Sequence, residues 1–239
     1  MKASCPILIT VINLCFLALT ACETFEPNDR HNYEQLRLPP VDTLKFTTDE
    51  KALITAGDSA DRMEIMYYNQ QPDSIILRTI STDIRLTEQE LALLTDRMYA
   101  TVRNPQNPGV GIAAPQVGIN RRVVWVKRYD KVGKPWEVFI NIRITALSDT
   151  LKLRNDGCLS IPGVSGQSWR AIWCDVEYDL PDGTHCTERI SHEYTAHIFQ
   201  HEIDHLDAIL WIDRRPSSKN VIIEGNPNEY DGEIMPSID

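Results

Sequence analysis

The sequence predicts an α+β domain in which short antiparallel strands pack around one central helix, with a second amphipathic helix beside them. Three observations predict this fold: several short runs of β-branched and aromatic residues, one helix-length segment that lacks Gly and Pro, and one apolar stripe at helical spacing. Of the 239 residues, 42% are hydrophobic and 24% are charged, which is typical of soluble globular proteins. This composition excludes collagen, low-complexity chains and proteins with many membrane spans.

The chain is acidic. It contains 34 Asp and Glu residues against 24 Lys and Arg residues, which gives a formal net charge of -10 at pH 7. Because phosphate backbones repel such a chain, we expect no nucleic-acid partner.

The N-terminus has the pattern of an export signal. Lys2 supplies a positive charge, and residues 6–19 form an apolar run that is too short for a comfortable membrane span. The sequence Leu-Thr-Ala-Cys at residues 19–22 then resembles the lipobox of bacterial lipoproteins, in which the signal is removed and the cysteine carries lipid. The resemblance implies that residues 1–21 are a lipoprotein signal peptide. Lipid on Cys22 would anchor an exported protein to a bacterial membrane, on its periplasmic or outer-membrane side. An ordinary secretory signal followed by an unmodified cysteine is the alternative.

Composition divides the rest of the chain into three regions. Residues 22–73 show no clear amphipathic period and include the pair Pro39-Pro40, so we expect a tether and a small irregular or partly helical segment. Residues 74–214 contain the predicted helices and strands, so we expect this region to form the folded domain. Residues 215–239 contain several Gly and Pro residues and are expected to form an irregular tail.

The first predicted helix starts after a capping box. Thr87 and Glu90 have the spacing at which the two side chains cap the first backbone N–H groups of a helix. Apolar residues then recur at intervals of three and four and form one face of a helix. These apolar residues are Leu91, Leu94, Met98 and Val102.

Four segments are predicted to be strands, because each is a run of β-branched and aromatic residues bounded by turn residues. They are residues 123–126, 136–144, 171–178 and 184–190. A Leu-Pro-Asp-Gly turn at residues 180–183 joins the last two. A second helix is expected from about residue 193 to about residue 210, a segment free of Gly and Pro.

Three cysteines remain in the predicted folded region, and two of them lie on neighbouring strands. An exported protein can form disulfides. With the 180–183 turn centred between its second and third residues, however, Cys174 lies opposite Arg189 rather than opposite Cys186. We therefore expect Cys174 and Cys186 to be unpaired.

The central helix contains the HExxH motif His-Glu-Ile-Asp-His at residues 201–205. The spacing i, i+4 places His201 and His205 on one face, one turn apart, where they can share a metal ion. Glu202 lies next to the first histidine and can reach a water on that ion. Two surface histidines on a helix would give the same pattern.

A metal site with two histidines needs a third protein ligand. No further histidine follows His205 in the sequence. Glutamates follow at positions 224, 229 and 233, but they stand among Gly and Pro residues. Upstream, Cys158 lies between Gly157 and an apolar residue. The residues alone leave this choice open.

Three separated segments resemble the motifs of peptide deformylases, in the same order along the chain. They are Gly-Val-Gly-Ile-Ala-Ala-Pro-Gln-Val-Gly at 109–118, Gly-Cys-Leu-Ser at 157–160 and Gln-His-Glu-Ile-Asp-His-Leu at 200–206. The likeness extends from about residue 74 to about residue 214. It implies a metal site formed by Cys158, His201 and His205 in which the metal activates a water. The resemblance implies Fe(2+), whereas an oxidising compartment would favour redox-inert Zn(2+).

The resemblance also implies the other roles at this site. Glu202 takes the proton of the water and can later deliver it to the departing amine. The side-chain amide of Gln116 and the backbone N–H of Leu159 donate hydrogen bonds to the oxyanion. An extended peptide could add as a strand beside a glycine-rich backbone, and the residues beside it would be Val110, Gly111 and Gly157.

Three residues depart from the family pattern. Asp156 stands where the family usually has Glu and is one methylene shorter, so a salt bridge to Arg170 would need a new spacing. Ala208 stands where the family usually has Gly, and we expect tighter helix packing there without an effect on the metal. His197 replaces a family Arg. The helix rise of about 1.5 Å per residue separates His197 from His205 by about 12 Å, so one ion cannot bind both, and we expect His197 to be exposed to solvent.

These features predict a metal-dependent hydrolase that removes the formyl group from N-formylmethionyl peptides and releases formate. Its partners are a formyl peptide and, through the lipid, a membrane. Nascent chains are deformylated in the cytoplasm, so an exported enzyme would act on formylated peptides outside it or on another short N-acyl group. A lipoprotein that only binds peptide N-termini at an inactive site is one alternative. An HExxH metallopeptidase is another, but it would leave Cys158 and Gln116 unexplained.

Overall fold

The computed structural model describes residues 44–216 of the chain. The predicted signal peptide at 1–21, the lipid-attachment residue Cys22 and all but the first two residues of the predicted tail at 215–239 lie outside the described residues. Among residues 44–216, no helix is both long enough and apolar enough to cross a membrane.

The described chain contains four α-helices and seven β-strands. The helices are α1 (Thr48–Ile54), α2 (Asp73–Leu77), α3 (Leu91–Val102) and α4 (Glu193–Leu206). The strands are β1 (Gly111–Ala113), β2 (Val123–Lys127), β3 (Trp136–Leu147), β4 (Leu151–Cys158), β5 (Ile161–Ala171), β6 (Cys174–Asp179) and β7 (His185–Ile190). Two short 3-10 turns, at Ala114–Val117 and Trp211–Arg214, complete the described elements.

All pairings between these strands are antiparallel. Five strands form one sheet in the order β1-β2-β3-β6-β7, and β4 and β5 form a separate hairpin. Helix α4 packs against β1, β2 and β3 of the sheet and against β5 of the hairpin. The predicted fold class, short antiparallel strands around a central HExxH helix with a second amphipathic helix, is therefore confirmed.

Helix α4 is central because it has no solvent-facing side after its first two residues. Every residue from Thr195 to Leu206 is buried. Phe199 packs edge-to-face on Phe139 of β3, with ring centroids 4.8 Å apart, and Ile203 joins the same core. Burial of one such side chain contributes about 1.5–3 kcal/mol, so the sheet holds this helix, and the motif on it, in one position.

The segment before α3 packs on the rest of the fold. Phe46, Ile54 and Met63 belong to the same core cluster as the apolar face of α3. The part of the predicted 22–73 segment that the structure describes, from residue 44 onward, thus contributes side chains to the core.

The predicted capping box before α3 is wrong. The helix starts at Leu91, and its N-cap residue Glu90 makes no side-chain hydrogen bond to the helix N-terminus. The Glu90 carboxylate instead accepts a hydrogen bond from Lys51 at 3.0 Å, while Glu88 accepts one from the backbone N–H of Phe46 at 3.2 Å. Contacts with the preceding segment therefore replace the local cap that the sequence suggests.

The β4–β5 hairpin was not predicted, and it changes the predicted strand at 171–178. Ala171 ends β5, and the next strand begins only at Cys174. The hairpin escapes a search for β-branched runs because β4 is mostly polar and β5 contains Pro and Gly.

The two strand cysteines are unpaired, as predicted, but the strand register differs by one residue. Cys174 lies opposite Ile190, and Cys186 lies opposite Tyr178. The shift arises because Asp179 pairs with His185, so the turn is centred on one residue rather than between two. Burial raises the pKa of the Cys174 thiol to about 12, which makes it unreactive.

Helix α4 ends at Leu206 and not near residue 210. The backbone turns away from the helix axis at Ala208. Ala208 has φ 62°, in the left-handed region, and the N–H of Ile209 donates to the carbonyl of Asp204 at 2.8 Å. This is a common helix ending, in which glycine is normally preferred. Ala208 therefore lies in a strained turn, and the expectation that it tightens helix packing is wrong.

We expect Ala208→Gly to stabilise the protein by about 1 kcal/mol, because glycine adopts a positive φ without the Cβ clash that alanine suffers. The measurement is the free energy of unfolding in urea. Ala100→Gly, inside α3, is the matched control and should destabilise by about 1 kcal/mol. Equal destabilisation by both substitutions would contradict the strain at position 208.

Candidate active site

A cavity of about 400 Å³ lies between β1, the β4–β5 hairpin and α4. It contains most of the residues that the sequence singles out. Those that line it are Val110, Gly111, Gln116, Gly157, Cys158, Leu159, His201 and Glu202. His205 lies next to it, with its Nε2 3.2 Å from Cys158 Sγ. The structure therefore brings together every site residue predicted within the described chain.

The three predicted metal ligands converge at one point. One donor atom each from Cys158, His201 and His205 lies within 4.8 Å of the other two. The two histidines come from successive turns of α4, and their ring centroids are 5.2 Å apart. The thiol comes from the end of β4, where an irregularity in the β4–β5 pairing falls between Gly157 and Cys158. Such an irregularity re-aims a side chain.

Asp156 orients the first histidine. Its Oδ1 lies 2.8 Å from His201 Nδ1, which leaves the Nε2 of His201 free to face the cysteine. The carboxylate also accepts hydrogen bonds from Ser168 Oγ at 2.6 Å and from the guanidinium of Arg170 at 2.9 Å. The predicted salt bridge to Arg170 is thus confirmed. Burial opposes ionisation of Asp156, but the two neighbouring histidines and Arg170 hold its pKa well below its usual range.

The second histidine is in the form that a metal ion requires. Burial holds the pKa of His205 well below its usual range, so the ring is neutral. A neutral imidazole has a free lone pair for a metal ion. The donor set of one cysteine and two histidines therefore fits a divalent transition metal.

His197 is not exposed, which corrects the expectation from the sequence. Its side chain is 6% exposed, and its Nε2 lies 3.1 Å from Asp156 Oδ2. Burial lowers the pKa of His197, so the neutral ring donates its Nε2 proton to the carboxylate. Asp156 thus contacts two histidines, one with each oxygen. The i, i+4 spacing of His197 and His201 was the signal for this arrangement, since it places both on the face of α4 that contacts the hairpin.

Glu202 is buried beside the ligands. It is 4% exposed, and within residues 44–216 its Oε2 has no hydrogen-bond partner. Burial raises the pKa of Glu202 to about 7. A carboxyl group with this pKa can accept and release a proton near neutral pH, as a general base and acid must.

Gln116 is fixed with its amide N–H₂ directed to the site. Its Oε1 accepts a hydrogen bond from the backbone N–H of Ala113 at 2.9 Å, and its Nε2 donates to Cys158 Sγ at 3.3 Å. The backbone N–H of Leu159, the other predicted oxyanion donor, makes no hydrogen bond within residues 44–216. The Gln116 Nε2 also lies 3.4 Å from Ser160 Oγ, so the N–H of Leu159 is the donor that is already available to a ligand, and the Gln116 amide lies beside it in the cavity.

The cavity lies between two open strand edges. Among the strands of residues 44–216, β1 is at the edge of the five-stranded sheet and β4 pairs only with β5. Val110 and Gly111 line one side of the cavity and Gly157 lines the other. An extended peptide can therefore form backbone hydrogen bonds with one or both edges.

Gly111 leaves the space that Glu202 occupies. A Cβ at position 111 would lie only 2.8 Å from Glu202 Cδ, so an added methyl group must displace the carboxylate.

We expect Gly111→Ala to lower kcat by at least about tenfold, because general-base catalysis depends on the position of the base. The protein should remain folded, with a loss of about 1 kcal/mol or less, since a side-chain tip can move aside. The measurements are steady-state kinetics and urea unfolding; an unchanged kcat would contradict this role of the glycine.

Sequence reasoning missed Ser168 and Tyr194. Ser168, fully buried on β5, helps to hold Asp156. Tyr194 lines the cavity and is 39% exposed at its mouth. Neither belongs to a motif with a chemical signature, so only their positions in the fold reveal them.

Comparison with known proteins agrees with this geometry. The family model described as polypeptide deformylase matches residues 63–221. The peptide deformylase of Symbiobacterium thermophilum is 40% identical over 146 residues, which is 60% of this chain and 63% of that protein. The peptide deformylase of Desulforudis audaxviator is 37% identical over 153 residues, 64% of this chain and 94% of that protein.

Solved structures show the same likeness. The class I type b peptide deformylase of Acinetobacter baumannii bound to Met-Ala-Ser matches with a TM-score of 0.57 and 32% identity, over 65% of this chain and 99% of that chain. The Synechococcus elongatus peptide deformylase in complex with actinonin matches with a TM-score of 0.56 and 29% identity, over 65% and 79%. This chain therefore belongs to the metal-dependent peptide deformylase family, whose known activity is removal of the formyl group from N-formylmethionyl peptides.

Proposed function

We propose that this chain catalyses its family's reaction in the cavity described above, hydrolysing the C–N amide bond of the N-formyl group with release of formate. One observation carries the proposal: the ligand set of Cys158, His201 and His205 shares a cavity with Glu202, a buried carboxyl group that lacks a hydrogen-bond partner within residues 44–216. A base next to a metal-ligand set is the arrangement of a metallohydrolase.

Cys158, His201 and His205 would hold a divalent ion through one donor atom each. When bound, a divalent ion supplies a water of lowered pKa and polarises the formyl oxygen. The family resemblance favours Fe(2+). Zn(2+) fits the same donors and suits an oxidising compartment.

The residues of the chain perform the remaining steps. Glu202 accepts the proton of the attacking water and delivers it to the departing amine. The Nε2 of Gln116 and the backbone N–H of Leu159 donate to the oxygen that becomes negative. Asp156 keeps His201 in the tautomer that binds a metal ion through Nε2. The backbone on either side of the cavity binds the peptide in an extended form.

Formate release from formyl-Met-Ala-Ser, measured together with the metal content, tests this function. We expect one divalent ion per chain and stoichiometric formation of formate and Met-Ala-Ser. The matched control is acetyl-Met-Ala-Ser, which tests whether another short N-acyl group is accepted. Fully metallated protein that binds the formyl peptide but releases no formate would favour the alternative, a lipoprotein that only binds peptide N-termini.

We also propose that the enzyme is exported and anchored to a membrane by lipid on Cys22. The support is the charged, apolar and small-residue pattern of residues 1–22. In that location its substrates are formylated peptides outside the cytoplasm, such as cleaved signal fragments.

Cys22→Ala should leave an unprocessed precursor without lipid, because no other side chain replaces the thiol in a thioether bond. The measurement is the mass of the protein and its distribution between membrane and soluble fractions in a bacterial host. Cys15→Ala, inside the predicted signal, is the control and should be processed normally. Normal processing and lipid attachment in Cys22→Ala would contradict the lipoprotein proposal.

A further inference from the structure

A second groove, about 720 Å³ in volume, adjoins the active-site cavity. It is lined by residues between 56 and 67, by residues of α3 and the loop after it, and by Leu159. The family match begins at residue 63, so five residues that form one wall of the groove precede the shared domain: Ala56, Gly57, Ala60, Asp61 and Arg62. The groove is therefore built in part from sequence that belongs to this chain and not to the family pattern.

The wall of the groove is held in place by one buried arginine. The guanidinium of Arg97 donates hydrogen bonds to the backbone carbonyls of Leu53, Ile54, Asp61 and Arg62 at 2.8–3.3 Å. In addition, the backbone N–H of Met63 donates to the hydroxyl of Thr101 at 2.8 Å. Because these bonds tie the segment to α3, the groove exists before any ligand binds, which lowers the entropic cost of binding.

The groove continues the path of the peptide. Asn107 and Leu159 line both the groove and the active-site cavity. The reacting end of the site is at Gly111, beside Glu202, and the backbone runs back from there through Gly109 to Asn107. An extended chain advances about 3.3 Å per residue, so four residues span about 13 Å along this path. We therefore expect a peptide bound along this backbone, with its reacting end beside Glu202, to enter the groove after about four residues.

The lining of the groove suits a polar backbone rather than one particular side chain. Its surface is mostly polar and includes the exposed side chains of Glu64, Gln106 and Asn107. Within residues 44–216 these three side chains make no hydrogen bond or ion pair. Amide groups both donate and accept, so Gln106 and Asn107 can pair with the N–H and C=O groups of any extended peptide.

We infer that this groove binds the downstream part of the substrate, from about the fifth residue onward, and that the enzyme therefore prefers formylated peptides of six or more residues. The inference rests on the proposed function, since it assigns a substrate class to the same site. It predicts that length, and not the identity of the distal residues, improves binding.

The test compares a formylated tripeptide with a formylated octapeptide that has polar residues from position four. Wild-type enzyme should show a KM for the octapeptide that is lower by about fivefold or more, the effect of one or two extra hydrogen bonds. Ala60→Trp, which fills the groove, should abolish this difference and leave the kinetics of the tripeptide unchanged. Ser59→Trp is the matched control, because Ser59 is exposed and lies next to the groove without lining it, and it should keep the wild-type preference.

Binding measurements separate this inference from the proposed function. Metal-loaded Glu202→Gln protein is titrated with fluorescently labelled formyl tripeptide and octapeptide, with and without Ala60→Trp. Tighter binding of the octapeptide that Ala60→Trp removes supports the groove even if no formate is ever released. Release of formate from the tripeptide together with equal affinity for both lengths would overturn the proposed role of the groove in peptide binding. The proposed enzymatic function would remain intact. An octapeptide advantage that survives Ala60→Trp would also overturn it.

Discussion

Glu202→Gln should lower the rate of formate release by about 10²–10⁴-fold, the usual contribution of a positioned general base. The amide has almost the shape of the carboxylate but cannot accept the proton of the attacking water. Glu202 lies beside the three ligand donors and is not one of them, so the variant should retain its metal ion and its affinity for formyl-Met peptides. The measurements are single-turnover formate release, metal analysis and peptide binding.

Glu193→Gln is the matched control for this experiment. Glu193 lies on the same helix, but its carboxylate pairs with Lys152 and Arg154 at the surface. Its loss should cost no more than about 1 kcal/mol of stability and should leave the reaction rate unchanged. A Glu202→Gln variant that keeps more than about a tenth of the wild-type rate would show that another group takes the proton.

Cys158→Ser should remove the metal ion. A serine hydroxyl is not deprotonated near neutral pH and is a much weaker ligand for a transition metal than a thiolate. Loss of an outer partner of a metal ligand typically lowers metal affinity by about 10–100-fold, so loss of a ligand should exceed about 100-fold. Metal content after dialysis against a weak chelator measures the effect, and formate release should fall with it.

Cys186→Ser controls for the general effect of replacing a thiol. Cys186 lies on β7, and its Sγ is 3.9 Å from a backbone carbonyl, outside the active-site cavity. This variant should keep one metal ion per chain. If Cys158→Ser also kept a full complement of metal with wild-type affinity, the third ligand would have to be a different residue.

The contact of Asp156 with two histidines connects the metal-ligand set to the rest of the fold. The Oδ2 atom of Asp156 contacts Arg170, Ser168 and His197 at hydrogen-bonding distance. Its Oδ1 atom contacts His201. The carboxylate is shorter than the family's usual glutamate, and His197 lies within hydrogen-bonding distance of it. The departures at positions 156 and 197 are thus two parts of one contact, which neither position reveals when taken alone.

The sequence by itself determined the chemistry of the site. An HExxH spacing places two imidazoles and a carboxylate on one helix face whatever surrounds the helix, because the periodicity of an α-helix is local. The β-branched runs of β2 and β3 predict strands for the same local reason. Three short motifs in the right order then indicated the family, and the geometry of Cys158, His201 and His205 agrees with it.

Only the tertiary structure decided which partner each side chain has. Lys51 binds the Glu90 carboxylate, which then caps no helix, and His197 is buried against Asp156 of β4. Strand β4 is polar and forms because it pairs with β5. The second groove forms because Arg97 binds the backbone of the segment that contains Asp61, which is more than thirty residues away in the sequence. Burial and long-range hydrogen bonds depend on which elements meet in space, and local propensity carries no information about those meetings.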